Sequence, residues 1–573
     1  MLRMRTRLAP ILLTSALAAC GSPATPTAAP PQATPPAATA TPTAAVEAPP
    51  PQPAPSYVMQ GTLLGHDGKP MKLAHLHIGE QSTPIEANGS FKITAPGPGF
   101  LPVRFTGVDH AELSVALYFD GHPADVEITL GTYERRPPPF AQASVAVYVR
   151  PEGGGAPAAK HFPEPVKKLA NGQYGLVLLE KSDEVFYALD DVARGHRVNG
   201  VEGDGFVWDG RGTYLTQMHR KNGAFRILLD AAKMPPPGLR PHLRFADPKG
   251  RAARITSLRF DAALRAEEGG ARATRDPSWR AEIARALEGE RDPEVAAALR
   301  LAYLTPPIGL DSHHDEAATL ARDLLDRLPA DAPLWGFTPS APITAVDVAG
   351  RTPEREAYLD RIIDGLRDRE TAATFVGARI RAASRDARDA EAARLFAIMR
   401  ERFAGTNAAH GVSFYDPARH VRPDHEAPAF DLPALPDGTR TPAGTRVSRA
   451  SLRGKVVLID FWGFWCAPCV AEMGNLHDAF ERYRDAGFTI VSVAVRTKPP
   501  AIRQFRTTRW PMPWLHVLLD EKTQEDVIDQ FEIKSYPSPI LIDRTGKIIA
   551  AGDDLRGDNL DRAVAAAVRS AAP

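Results

Sequence analysis

The sequence predicts a multidomain chain: N-terminal β-sandwich-like modules, an α-helical middle region and a C-terminal α/β domain. Three observations carry this. Short apolar runs broken by turn residues fill positions 57 to 245. The apolar spacing changes to a helical period from about 250 to 408. Finally, Val456 to Met473 reads VVLIDFWGFWCAPCVAEM, a β-branched and aromatic run that passes through Cys-Ala-Pro-Cys into a helical pattern. At 573 residues, several domains are expected.

Residues 1–20 have the pattern of a secretion signal, with Arg3, Arg5 and Arg7 ahead of an apolar run from Leu8 to Leu17. That run is shorter than the roughly 20 residues a spanning helix needs. Leu17-Ala18-Ala19-Cys20 resembles a bacterial lipobox. The resemblance implies cleavage before Cys20, diacylation of its thiol and a lipid anchor in the membrane. A plain signal peptide with an incidental cysteine is the alternative, but one unpaired thiol suits an oxidising compartment poorly. Gly21, in place of an acidic residue, points to the outer membrane where the cell has one. Residues 21–56 are rich in Pro, Ala and Thr and cannot bury a core, so an extended, disordered linker is expected.

Residues 57–135 read as a β-sandwich-like domain. Met59 to Leu64, Leu73 to Ile78, Asn88 to Ile93 and Val115 to Phe119 are short, largely apolar runs separated by turns. The Asn-Gly-Ser-Phe turn at 88–91 weakly resembles carboxypeptidase-regulatory-like domains. His75 and His77 would share one strand face, but a metal site needs further ligands and none is evident. Residues 136–245 predict a second β-rich module, with strands at 143–149, 174–179, 184–189, 206–208 and 224–229.

Residues 250–408 predict an α-helical domain. Asp276-Pro277 and Asp292-Pro293 are N-cap and first-turn pairs. Trp279, Ile283 and Leu287 then fall on one helical face. Further helices are expected at 315–328, 354–367, 370–384 and 387–403. His313-His314-Asp315 looks like a metal cluster but sits at a helix start, where Asp is a capping residue. No metal site is predicted. The 69 basic and 69 acidic residues balance, so nothing favours nucleic acid or a polybasic membrane patch.

The chemistry centres on Cys466 and Cys469, two of the three cysteines. Pro468 fits the first turn of a helix, which places Cys466 at a helix N-terminus. Unpaired amides and the helix dipole there favour a thiolate. Cys469, one turn deeper, is placed to attack a mixed disulfide formed at Cys466. A zinc site, a purely structural disulfide and two inert buried cysteines are the competing readings. The first lacks ligands, and the second would close too small a loop to matter much.

Gly454 to Trp462, Trp465-Cys-Ala-Pro-Cys and Glu472 resemble the thioredoxin superfamily, and within it the TlpA/ResA-like extracytoplasmic thiol-disulfide oxidoreductases. Ala427-Pro-Ala-Phe-Asp-Leu resembles the lead-in hairpin of that branch, and Tyr536-Pro537 to Gly546 resembles the stretch with its cis-proline. The resemblance covers residues 425–573 and implies a thioredoxin-like fold there. It makes Cys466 the attacking and Cys469 the resolving cysteine. Pro537, as the cis-proline that abuts the disulfide, would with Trp465 and Tyr536 bind an extended substrate segment. Asp460 would be the buried acid that exchanges a proton with the resolving thiol, and Glu472 a carboxylate tuning Cys469. Gly474 stands where the family has a proline that kinks the active-site helix, so a bend would need another origin.

The resulting expectation is a membrane-tethered extracytoplasmic thiol-disulfide oxidoreductase that reduces protein disulfides. Its only redox group would be the Cys466–Cys469 pair, with no other cofactor. Expected partners are envelope protein thiols and disulfides and a membrane thiol electron donor, with no nucleic acid. Expected localisation is the cell envelope on the periplasmic side, lipid-anchored. The alternatives are an envelope interaction scaffold with secondary or lost redox activity, and a thiol peroxidase.

Overall fold

The computed structural model describes residues 55–573 apart from 136–139, 141–142, 152–153, 160–163, 194–195, 211, 274–276, 306–313, 437–440, 509 and 571–573. The signal segment, Cys20, nearly all of the linker, Asp276 and His313 lie outside the described residues.

Alternating burial along short strands builds the N-terminal sandwich. In Val58–Leu64, Met59 and Leu63 point into the core while Gln60 is exposed. This strand pairs parallel with Ala124–Thr129 and antiparallel with Ser90–Thr94. The facing four-stranded sheet holds Ala74–Ile78, Gln81–Pro84, Gly99–Gly107 and Leu113–Phe119. His242–Phe245 closes the first sheet by pairing antiparallel with Ala124–Thr129. The segment assigned by sequence to the second β-module therefore completes the first one. Phe245 belongs to the sandwich core, and burying it there is what recruits the strand.

The second module, between those strands, has a seven-stranded sheet and a three-stranded one. Its strand Tyr214–His219 escaped the sequence reading. His75 and His77 are committed at the junction of the two modules. His75 stacks on Trp208 with 3.8 Å between ring centroids, and its Nδ1 is 2.9 Å from the Tyr214 hydroxyl. His77 Nε2 is 2.9 Å from Thr106 Oγ1. Burial pushes the pKa of both imidazoles down. Among the described residues, no group of three or more His, Cys, Asp or Glu is placed to hold a metal ion.

The middle region is helical, as predicted. Asp292 caps Pro293–Leu304, accepting from the N–H groups of Glu294 and Val295. Helices His314–Arg327, Pro353–Gly365, Arg369–Arg385 and Asp389–Arg402 follow the expected spacing. Ala341–Ala349 is a further helix that the spacing did not reveal. Arg379 is 1% exposed and is met by Glu356, Asp360 and Glu391. Among the described residues no helix is long and apolar enough to cross a membrane.

The C-terminal domain is an α/β fold on a five-stranded sheet. After the hairpin β1 (Asp431–Pro433) and β2 (Arg446–Ser448) come β3 (Val456–Trp462), β4 (Phe488–Ala494), β5 (Leu515–Leu518), β6 (Ser538–Ile542) and β7 (Ile548–Ala551). The strand order is β5-β4-β3-β6-β7. β3 runs parallel to β4 and antiparallel to β6. All seven residues of β3 are buried, as a central strand covered on both faces requires. Val457, Ile459 and Phe461 enter one core layer, and Val456, Leu458 and Trp462 enter the other. The helices are α1 (Ala467–Ala471), α2 (Met473–Tyr483), α3 (Pro499–Thr508), α4 (Glu521–Gln530) and α5 (Asp558–Arg569).

Candidate active site

The site forms where β3 ends and α1 begins. Cys466 is the N-cap of α1, in extended conformation, with Pro468 in the first turn. Its sulfur accepts from the Cys469 N–H at 3.3 Å. Cys466 and Cys469 form a disulfide with 5.2 Å between Cα atoms. Both are buried in the core layer that also takes Leu458 and Trp462.

Side chains alternate along a strand, so Asp460 falls on the face of Leu458 and Trp462, the disulfide's face. It is 3% exposed. Burial first, then the like charge of Glu472, pushes its pKa up to about 7. A carboxyl near neutrality can both take up and return a proton under physiological conditions.

Glu472 divides the active-site helix. It has φ −79° and ψ −11°, closing α1 and preceding α2. The active-site helix is thus interrupted two residues before Gly474, which lies buried inside α2. Glu472 is not a freely solvated helix residue. Its side chain is 16% exposed, with Oε1 3.6 Å from Arg556 Nε. Its Oε2 accepts from Asn475 Nδ2 at 2.8 Å and from the Gly557 N–H at 3.0 Å.

The opposite wall is the Tyr536-Pro537 loop, whose peptide bond is cis. Tyr536 meets Trp465 edge to face at 5.6 Å, and both pack on the layer that contains the cysteines. Trp465 donates from Nε1 to the Val495 carbonyl at 3.1 Å. Gly463 makes room for that ring, since a Cβ there would lie 2.4 Å from Trp465 Nε1.

The structure therefore brings Cys466, Cys469, Asp460, Glu472, Trp465, Tyr536 and Pro537 to one end of the sheet. Arg556 and Gly557 escaped sequence reasoning. They sit in a short polar, Gly-bounded stretch with no motif of its own, and only the fold carries them to Glu472.

Residues 454–548 match the family described as thioredoxin-like. The thiol-disulfide oxidoreductase ResA of Bacillus subtilis is 30% identical over 109 residues, covering 18% of this chain and 57% of that protein. ResA of Bacillus cereus is 27% identical over 124 residues, covering 22% of this chain and 65% of that protein. A solved thioredoxin domain of a thiol-disulfide oxidoreductase from Bacteroides vulgatus is 32% identical and covers 26% of this chain and 98% of its own, with a TM-score of 0.23. The chain spans 57% and 65% of the length of these two curated relatives. The C-terminal domain is a thioredoxin-like domain related to the ResA-type thiol-disulfide oxidoreductases.

Proposed function

We propose that this protein is a membrane-tethered, extracytoplasmic thiol-disulfide oxidoreductase that reduces disulfides in envelope proteins. The observation that carries the reading is the Cys466–Cys469 disulfide at the start of a split helix, beside a near-neutral buried carboxyl. In the reduced enzyme the Cys466 thiolate attacks one sulfur of a partner's disulfide. That S–S bond breaks, a mixed disulfide forms and the partner's other sulfur leaves as a thiolate, which takes a proton from solvent. Asp460 accepts the proton of Cys469. The Cys469 thiolate then attacks Cys466 and expels the partner's second sulfur as a thiolate, which takes the proton back from Asp460 and leaves the partner a dithiol. Two electrons have moved to the partner, and Cys466–Cys469 is a disulfide again. A membrane dithiol donor would restore the reduced state. Trp465, Tyr536 and Pro537 form the wall against which an extended substrate segment lies. Cys20 carries the lipid anchor, most simply in an outer membrane.

Trapping tests this. Cys469→Ser leaves Cys466 able to attack but removes the resolving thiol. Envelope proteins should then accumulate as mixed disulfides at Cys466, released by reductant and absent from a Cys466→Ser, Cys469→Ser double variant. Partners retained equally by the double variant would instead favour an interaction scaffold. Rapid turnover of peroxide by the native chain would favour a thiol peroxidase.

A further inference from the structure

The loop from Gly552 to Gly557, between β7 and α5, touches two parts of the molecule. On one side it grips Glu472, through the Gly557 N–H at 3.0 Å and Arg556 Nε at 3.6 Å. Arg556 is also 3.4 Å from Asp553 within the loop, which fixes its guanidinium. On the other side the loop is held by the end of the helical region. The Tyr415 hydroxyl donates to Asp554 Oδ2. Gly552 adopts φ +65°, and a Cβ there would lie 2.5 Å from the Phe414 ring. The ring thus sits directly against the loop backbone.

Phe414 and Tyr415 are adjacent yet belong to different cores. Phe414 packs in the thioredoxin-like layer and Tyr415 in the helical one. The two residues therefore bridge the helical region to the loop, and the loop bridges to Glu472. An exposed glutamate would gain little from a single cation, because holding two side chains in place costs entropy. Glu472 is largely withdrawn from water and carries three contacts from two segments.

We infer that Arg556 is a positioning residue for the thiol pair: with the Gly557 N–H it fixes Glu472 beside Asp460 and Cys469, and Tyr415 of the helical region holds the loop that presents it. This rests on the oxidoreductase reading above. Arg556 offsets the negative charge of Glu472. Without it, the thiolate form is disfavoured and the reduced state loses ground to the disulfide.

The test is redox equilibration of the full chain with glutathione. Arg556→Gln should shift the equilibrium constant toward the disulfide by about tenfold, or about 30 mV for a two-electron couple. Arg556→Lys, which keeps the charge, should restore most of the shift. Tyr415→Phe should move it the same way by a smaller factor. In a Glu472→Gln background Arg556→Gln should be silent. Equal shifts with and without Glu472, or no shift in either, overturn the positioning role. Arg556→Lys and Tyr415→Phe decide the matter if Arg556→Gln does not fold. A wild-type chain with no reversible couple overturns the oxidoreductase reading, and this role with it. A wild-type couple that the variants leave unmoved overturns the positioning role alone.

Discussion

Asp460 and Glu472 act on one another as like charges across the junction of β3 and the active-site helix. Glu472 has Arg556 3.6 Å away to offset it, whereas Asp460 meets burial and, beyond that, the like charge of Glu472. The asymmetry makes Asp460 the group that gives up its charge. In the proposed reaction that carboxyl is the proton carrier for the sulfurs.

Asp460 should make the protein less stable as the pH rises. The folded pKa is about 7 against an ordinary value of 3.8. Between those values the folded state holds a proton that the unfolded state has lost, so stability falls with increasing pH through this window. The effect is on the order of a few kcal/mol. Urea unfolding of the oxidised chain at pH 5 and pH 8 should show it, and Asp460→Asn should flatten the difference. An unchanged difference in the variant would remove Asp460 as its source. The same substitution should slow mixed-disulfide resolution by on the order of a hundredfold, measured by stopped-flow thiol release.

Cys466 should ionise below the ordinary thiol value of about 8.5. Its sulfur already accepts the Cys469 N–H and caps α1, so negative charge on it meets an oriented amide. Alkylation rates of the reduced chain against pH measure this in a Cys469→Ser variant. An inflection at or above 8.5 would leave the thiolate without its proposed stabilisation.

Much of this site was legible because its signals are local. Cys466, Pro468 and Cys469 fix a helix start within four residues, and the β-branched and aromatic run before them, broken only by Asp460, announces a buried strand. The fold class held for the same reason, since sandwich, helical and α/β regions each carry their own period. What stayed hidden depends on contacts distant in sequence. Arg556 meets Glu472 only after the chain has crossed the sheet. His242–Phe245 joins a sheet begun at residue 58. β5 (Leu515–Leu518) is short and lies close after Pro511 and Pro513, and it becomes a strand through pairing with β4. The interruption at Glu472 arises without the proline that family resemblance would have required.

Gly463→Ala should damage the substrate wall without touching a sulfur. The added Cβ would lie 2.4 Å from Trp465 Nε1, so the indole must leave. It would lose its bond to Val495 and its edge-to-face contact with Tyr536. A cost of about 1–3 kcal/mol is expected from such overpacking, read by chemical denaturation. Substrate KM should rise more than kcat falls, because the sulfurs keep their place. A fall confined to kcat would place Trp465 outside the substrate wall.

Arg379 provides the sharpest stability prediction in the helical region. Its guanidinium is 1% exposed and meets Glu356, Asp360 and Glu391, at 2.7 Å in the case of Asp360. Burial alone would raise the pKa of Asp360, but its bonds to Arg379 and Arg394 outweigh that and hold it below the ordinary value. Arg379→Met keeps the volume and takes one cation from Glu356, Asp360 and Glu391, which retain Arg351, Arg394 and Arg388, so the cost is that of lost charged hydrogen bonds, about 1.5–3 kcal/mol. The linkage has a definite sign. A carboxylate with a lowered folded pKa stabilises the fold above its unfolded value and loses that contribution as the pH falls. The difference between wild type and Arg379→Met should therefore be largest near pH 7 and shrink toward pH 3.5, where protonation removes the carboxylate charge that Arg379 offsets. Thermal melting at both pH values measures it. A penalty that stays constant across that range would mean that Arg379 acts through packing of its stem, not through its charge.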